Sequence, residues 1–191
     1  MASSETEIAN IALSRLGNGL QISALTEATL AARLCNLNYV ACRDATLRAH
    51  PWNFAVRRAM LAQDTTVPAF EYAFRYALPI DCVRVIRSSI EAQGAPEDFR
   101  VEGRFLLSDE GTIGIEYIAR VTDVSSFDDD FVDCLASRLA AEICPTLTES
   151  ASMTKNLWDI HAVKLKEARS VDGQEGTPRN FVSDLWVVAR A

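Results

Sequence analysis

Histidine is scarce in this 191-residue sequence, which has only His50 and His161, and none of its five cysteines forms a C-x-x-C pair. A histidine-based metal site or a serine–histidine–aspartate triad therefore has few residues to draw on. The sequence also lacks the glycine-rich phosphate loops and the G-x-S-x-G and H-E-x-x-H signatures of common enzyme classes. We expect a protein that is not an enzyme and that holds no cofactor or metal.

Long hydrophobic runs are also missing, since no stretch of about 18 apolar residues is present. The first ten residues have neither the basic start nor the apolar core of a signal peptide. We therefore expect synthesis in a cytoplasm and no membrane contact. The odd number of cysteines, several of them beside leucine or alanine, indicates buried reduced thiols rather than disulfides or metal ligands.

The formal net charge is −7, and it is unevenly spread along the chain. Residues 1–62 carry six Lys/Arg and four Asp/Glu, residues 63–122 carry six and ten, and residues 123–191 carry seven and twelve. An acidic protein is poorly suited to tight nucleic-acid binding, because that affinity comes mainly from Lys and Arg. Ordinary solubility explains the same charge, and so does a surface that DNA slides past.

Two helices are predicted in the first 52 residues. Ser4 and Glu7 form an S-x-x-E capping box, and Gly17 supplies the positive φ that ends the first helix. Thr26 is the expected cap of a longer second helix, which stops before Pro51. Apolar residues at helical spacing define the expected buried faces: Ile8, Ile11, Ala12 and Leu16 in the first helix, and Leu30, Leu34, Leu37 and Ala41 in the second.

Residues 53–122 are predicted to form an antiparallel β-region of four or five strands. Residues 53–62 are compatible with a strand or a short helix, and we favour a strand. Four further segments are rich in β-branched or aromatic residues and are separated by turn signals: residues 74–79, 82–90, 99–108 and 112–120. Val83 and Val85 indicate a packed face of one strand, and Arg84 and Arg87 an exposed face.

Two more helices are predicted after residue 123. Ser125 or Ser126 caps the first, and Pro145 ends it. Its first turns are acidic and its stripe is apolar: Asp128, Asp129, Asp130 and Asp133, then Phe131, Leu135, Leu139 and Ile143. The second runs from about residue 151 to 171, and Gly173 and Gly176 stop it. Its expected seam is Met153, Leu157, Ile160, Val163 or Lys164, and Ala168.

The acidic run at residues 128–130 is the densest cluster of possible metal ligands. Three consecutive carboxylates on one helical turn diverge, whereas a divalent cation needs oxygens that converge, so we interpret the run as helix-start electrostatics. Trp52 is expected to fill the core at the helix–sheet junction.

These elements predict an α+β fold in which a four-helix bundle, made of two N-terminal and two C-terminal helices, receives an inserted antiparallel β-region. The expected divisions are residues 1–52 and 123–172 for the bundle, 53–122 for the β-region and 173–191 for an extended C-terminal docking tail. Because large apolar side chains in a short tail need a partner, four tail residues are the predicted portal- or neighbour-binding site: Phe181, Leu185, Trp186 and Val187.

The order of helix, glycine, short linker and long helix, followed by Pro51-Trp52-Asn53-Phe54, resembles the N-terminal half of the tail tubular protein A family. Members of that family are head-to-tail adaptors of short-tailed bacteriophages. Ala32-Arg33 in the long helix, followed by Arg43 and Arg48, carries the resemblance further. Residues 127–150 match more generally, as a helix opened by acidic residues and ended by a proline, and the total length also fits.

The resemblance implies a structural protein of the virion neck, made in the host cytoplasm. It would form a ring, twelve-membered in that family, between the portal protein and the tail nozzle protein, with DNA passing non-specifically through the lumen. Two alternatives from other classes remain: a cytoplasmic α+β protein-interaction module, and a tail-associated glycosidase whose paired acids no sequence pattern can exclude.

Overall fold

The computed structural model describes residues 4–17, 19–90 and 99–175. Within these ranges the protein is a mixed α+β structure with four α-helices and two antiparallel sheets. No helix in the described ranges is both long enough and apolar enough to cross a membrane.

The first helix begins and ends as predicted. Helix α1 spans Glu5–Ser14, and the Ser4 hydroxyl accepts a hydrogen bond from the Glu7 amide at 3.2 Å. Gly17 has φ +69°, the left-handed conformation expected after the helix. Asn10 then fixes the linker, because its side chain donates to the Ile22 carbonyl and accepts from the Ile22 amide, both at 2.9 Å.

The second helix uses a different cap and a different buried face from those predicted. Helix α2 spans Leu30–Ala49, and its cap is Thr29 rather than Thr26, with the Thr29 hydroxyl accepting from the Ala32 amide. The predicted face of Leu30, Leu34, Leu37 and Ala41 is wrong, since only Leu34 among them packs on the core. The buried face consists mainly of smaller residues: Ala31, Ala32, Cys35, Tyr39, Cys42, Arg43, Thr46 and Leu47.

The third helix has the predicted stripe but different ends. Helix α3 spans Asp129–Thr148, and all four predicted stripe residues are buried. Asp128 precedes it, whereas Ser125 and Ser126 belong to a 3-10 turn. Pro145 lies inside the helix, which ends where Glu149 takes φ +53°. A proline near the C-terminus removes one donor, and the remaining turn still closes through Glu149 N–H to Pro145 C=O.

The predicted seam of the fourth helix is confirmed in part. Helix α4 spans Ala151–Glu175, so Gly173 does not stop it. Leu157 and Ala168 of the seam are buried and Met153 packs on the core, whereas Ile160 and Val163 are exposed. Two polar residues that were not predicted, His161 and Asp172, are also buried. Asp133, predicted as a helix-start charge, pairs with Arg15 of α1 and with Lys164 of α4, and it thereby links three helices.

Seven short strands follow α2, and they form two sheets rather than one. They are β1 (Val56–Met60), β2 (Ala62–Gln63), β3 (Phe74–Ala77), β4 (Cys82–Ser88), β5 (Phe99–Glu102), β6 (Phe105–Ser108) and β7 (Gly114–Ala119). The strand orders are β1-β7-β4 and β2-β3-β6-β5, and every pairing is antiparallel.

Three strand predictions need correction. Residues 53–55 form a 3-10 turn before β1, so the segment is part turn and part strand. The predicted strand 99–108 is a hairpin, because Gly103 takes φ +59° between β5 and β6. Strand β4 contains register shifts, which break the expected alternation of a packed and an exposed face.

Two hydrophobic cores result. The larger contains side chains of all four helices together with Trp52, Ile118 and Val121. The smaller lies among the strands and contains Tyr76, Leu106, Ile113, Ile115 and Tyr117. Strand β4 serves both, because Val83 and Ile86 pack on the helical core while Cys82 and Val85 belong to the strand core.

The junction after α2 joins the helices to the first sheet. Trp52 is buried, as predicted, and its indole N–H donates to the Thr46 carbonyl at 2.9 Å. His50 Nε2 lies 2.9 Å from Asp172 Oδ2 on α4. The other oxygen of Asp172 accepts the Asn53 amide N–H at 2.9 Å. The end of α4 is therefore bound to the segment that leads into β1.

We predict that Asp172→Ala lowers the free energy of unfolding by about 1 to 3 kcal/mol, because the Asn53 N–H and the His50 ring lose the buried carboxylate to which they are bonded. Asp159→Ala is the matched control, an exposed aspartate on the same helix, and its effect should stay below about 0.5 kcal/mol. Urea unfolding followed by circular dichroism measures both values. Equal effects of the two substitutions would contradict the junction described above.

Candidate functional site

The four residues predicted to bind the portal or a neighbouring subunit are Phe181, Leu185, Trp186 and Val187, and they lie outside the described residues. The structure therefore brings none of them to a described surface. Candidate sites are sought instead among the exposed apolar and charged side chains of residues 4–17, 19–90 and 99–175.

Helix α2 carries an apolar stripe on its outer side. Leu30, Leu37 and Val40 are exposed, and the Leu37 side chain retains 76% of its accessible surface. The residues recur at helical spacing, with exposed Arg33 in the same row, so they lie along one side of the helix. We call the row Leu30, Arg33, Leu37 and Val40 the α2 stripe.

The α2 stripe is exposed because the helix has two apolar sides and buries the other one. The helical core is rich in small residues, including Ala32 and Cys35 of α2 and Ala136 and Ala140 of α3. Small side chains allow helix axes to approach closely, whereas leucines at the contact would hold them apart. The sequence signal was present, since the alanines and cysteines also recur at helical spacing, but the larger leucines took precedence in the prediction.

Helix α4 carries a second stripe. Ile160, Val163 and Val171 are exposed, with 45%, 55% and 43% of their surfaces accessible. Glu167 lies in the same row, and Asp159 borders it. We call the row Ile160, Val163, Glu167 and Val171 the α4 stripe. Several large apolar residues exposed at two such rows are more than the isolated surface leucines of an ordinary soluble protein.

The two stripes differ in charge. The α2 stripe contains Arg33, which has no carboxylate within 4.0 Å among the described residues. The α4 stripe contains the carboxylate of Glu167, whose nearest described cation is Lys164 at 3.9 Å, and it borders Asp159. Each stripe has an apolar row, and the charges of the two stripes have opposite signs. The two stripes are therefore complementary to each other in composition.

Further apolar residues are exposed beside the sheets. Phe70 and Ile80 are more than three-quarters exposed, and Val67 and Met60 about two-thirds exposed. They lie in the connections before β3 and β4, apart from Met60 at the end of β1. The β-region therefore offers a third surface on which a partner could bury apolar area.

The chemically reactive side chains are mostly buried. All five cysteines are free and buried, and burial raises the pKa of Cys35, Cys42 and Cys134 to about 11. Burial also lowers the pKa of His161, which packs against Cys134. Within the described ranges, no three His, Cys, Asp or Glu residues are arranged to hold a metal ion. The exposed apolar rows of the described residues are surfaces on which a partner could bind.

Comparison with known proteins adds no functional assignment to these surfaces. No family model matches the chain, and no curated protein matches it at a significant level. The resemblance noted in the sequence therefore remains a hypothesis about function.

The cysteines provide a test of the helix faces. Because the thiolate is the reactive form and burial disfavours it, the native protein should react slowly with a thiol reagent, and all five thiols should react after denaturation. Reaction with 5,5′-dithiobis(2-nitrobenzoate) followed at 412 nm measures this. Rapid modification of Cys35 or Cys134 in the native protein would contradict the buried faces of α2 and α3.

Proposed function

We propose that this protein is a structural head-to-tail adaptor subunit of a phage virion. Its copies would form a closed ring between the portal protein and the tail nozzle protein, with DNA passing through the lumen. The observation that carries the proposal is the pair of exposed, chemically different stripes on α2 and α4. Ring closure needs a heterologous interface, in which one patch of each subunit meets a different patch of the next.

In this proposal the α2 stripe of one copy packs against the α4 stripe of its neighbour. Leu37 and Val40 would bury apolar surface against Ile160 and Val163, and each fully buried side chain of this kind contributes about 1.5 to 3 kcal/mol. Arg33 would face the carboxylates of Asp159 and Glu167, which fixes the register of the two helices.

The proposal also includes the finer architecture, a four-helix bundle with an inserted β-region. Its support is that α3 packs against each of the other three helices and that the larger core contains side chains from all four. The bundle would span residues 1–52 and 123–172, form the ring wall and present the stripes. The β-region of residues 53–122, with its exposed Phe70 and Ile80, would form or face the platform on the tail side.

The charge of the protein fits a conduit for DNA. A net charge of −7 gives mild repulsion of phosphates, so DNA would slide past the ring rather than adhere to it. The C-terminal tail, residues 173–191, would dock on the portal or on a neighbour through Phe181, Leu185, Trp186 and Val187. Of this tail, residues 173–175 belong to α4.

A cytoplasmic protein-interaction module is the second candidate, and the same stripes favour it. An exposed apolar row on a helix can receive an amphipathic helix of an unrelated partner as readily as a second copy of the chain. The two candidates differ in what the protein forms with a portal. A mixture with the cognate portal imaged by negative-stain electron microscopy should show a ring stacked on the portal. Separate particles would favour the interaction module.

We predict that Leu37→Glu and Ile160→Glu each prevent ring formation on the portal. Both positions are exposed, so the free energy of unfolding should change by less than about 0.5 kcal/mol. Val67→Glu is the control, an equally exposed apolar position outside both stripes, and it should leave the ring intact. Complete rings formed by either stripe variant would exclude the proposed interface.

The charges of the stripes allow a sharper version of the test. Arg33→Glu and Glu167→Arg should each weaken ring formation, because each places like charges opposite one another. The double variant should recover it, since the pair is then reversed across every interface. If both single variants are defective and the double variant is also defective, Arg33 and Glu167 do not contact each other across the interface.

Deletion of residues 177–191 tests the tail. We expect the truncated protein to keep its circular dichroism spectrum and to lose attachment to the portal or to its neighbour. Burial of Phe181 and Trp186 could contribute several kcal/mol at about 25 cal/mol per Å², before the ordering cost of the segment is subtracted. An unfolded truncated protein would place the tail in the core, and complete particles assembled without the tail would remove its docking role.

A further inference from the structure

Three arginines line one groove between the end of α2 and the strands. Arg48 comes from the last turn of α2, Arg84 from β4, and Arg104 from the turn of the β5–β6 hairpin. The groove has a volume of about 380 Å³. The rest of its lining is largely apolar and comes from both sheets: Leu78, Cys82, Val83, Val85, Phe99 and Val101, with Gly103. We call it the arginine groove.

Two of the three guanidinium groups are held in place by backbone carbonyls. Arg48 Nη1 donates to the Val83 carbonyl at 2.7 Å, and Arg104 Nη1 donates to the Cys82 carbonyl at 3.0 Å. Arg104 Nη2 also donates to the Pro79 carbonyl. These bonds hold the two positive charges beside the start of β4 without neutralising them, and they leave further N–H groups for a ligand.

None of the three has a carboxylate partner in the described part of the chain. Nine other described arginines lie within 4.0 Å of a carboxylate: Arg15, Arg43, Arg57, Arg58, Arg75, Arg87, Arg100, Arg120 and Arg138. In an acidic protein the arginines are thus mostly paired, and three of the few exceptions line the same groove. Unpaired like charges that line one groove repel one another, and a bound anion would offset that repulsion.

The Arg84 side chain is partly buried in the groove. Its Nε atom is closed off from solvent and donates no hydrogen bond to any described residue, as is also true of Arg75 and Arg138 outside the groove. The contribution of Arg84 to the groove is therefore its charge rather than this donor.

We propose that the arginine groove binds a phosphate group. Phosphate has several oxygens and up to two charges, so it can accept hydrogen bonds from three guanidinium groups at once and offset more of their charge than a single carboxylate does. The groove is also larger than a phosphate ion, and its apolar wall of Val85, Phe99 and Val101 suits the remainder of a phosphate-bearing ligand. The phosphate could belong to a mononucleotide or to a DNA strand, and the two sources can be separated by experiment.

The inference does not depend on the adaptor function. The net negative charge of the whole protein disfavours extended nucleic-acid contact, but local binding depends on the charges near the ligand. The arginine groove is therefore a site at which an otherwise acidic surface would hold one phosphate in a defined position.

The test is isothermal titration calorimetry of the full chain in a phosphate-free buffer at low salt. The probes are inorganic phosphate, pyrophosphate, adenosine diphosphate and a twelve-nucleotide single-stranded DNA. We expect saturable binding of at least one probe with a stoichiometry near one, which weakens as salt is added. Saturation by the small probes identifies a mononucleotide-type site, and binding of the DNA alone identifies a strand.

Two variants assign the binding to the groove. Arg84→Gln should weaken it by about ten-fold or more, because one of the three positive charges of the groove is lost. Arg84→Lys keeps the charge but not the guanidinium, and it should give an intermediate loss. Arg138→Gln is the matched control, an arginine on α3 whose Nε is also buried and unbonded but which does not line the groove, and it should change the affinity less than about two-fold. Circular dichroism verifies that each variant is folded.

Several results would overturn the proposal. One is the absence of saturable binding by any phosphate probe, and another is an equal loss in Arg84→Gln and Arg138→Gln. Tighter binding of a glutamate-rich peptide than of every phosphate probe would assign the groove to an acidic protein partner. Residues 91–98 include Glu97 and Asp98. If phosphate binds only after Glu97→Gln and Asp98→Asn, the anion of the groove belongs to this chain itself.

Discussion

Burial of Trp52 is the constraint on which the arrangement of the described elements depends. Pro51 ends α2, and the next residue places the largest side chain of the protein inside the helical core. There the indole packs edge-on against Phe131 of α3 at 5.2 Å between ring centroids and stays hydrogen-bonded to Thr46. Since the polar edge of the ring is satisfied and its apolar area is buried, the chain has one favourable exit direction, and that direction leads into β1.

The rest of the junction follows from this position. With Trp52 inside, His50 and Asn53 lie on either side of it, and Asp172 of α4 binds both. Phe54 then continues the aromatic cluster against Phe127 and Phe131. Strand β1 starts two residues later and pairs with β7, which in turn pairs with β4. A single buried side chain thereby fixes the contact between the helices and the first sheet.

The sequence predicted the features that depend on neighbours in the chain. These include the Ser4 cap, the left-handed Gly17, the stripe of α3, the buried cysteines and the buried Trp52. It failed where burial depends on distant partners. His161 is buried where it contacts Cys134, and Asp172 is buried where it bonds His50 and Asn53. No local pattern in the sequence shows such pairs.

The face of α2, and the positions of Ile160 and Val163 on α4, were mispredicted for a related reason. Hydrophobic periodicity indicates that a helix has an apolar side, but α2 has two. Which of them is buried depends on how closely α3 can approach, and small residues allow a closer approach than leucines do. The tail residues chosen as the binding site lie outside the described ranges, whereas the stripes became candidates only once the buried sides were known.

The distribution of charge connects the two kinds of surface. Most arginines of the described chain are paired with carboxylates, as in Glu116, which receives Arg87 at 2.7 Å and Arg58 at 3.5 Å across neighbouring strands. Pairing of this kind removes positive charge from most of the surface. Five described arginines have no carboxylate of a described residue within 4.0 Å, and three of them, Arg48, Arg84 and Arg104, line the arginine groove. In an acidic protein such residual charges are the positions at which an anionic group gains most, because elsewhere the protein repels it.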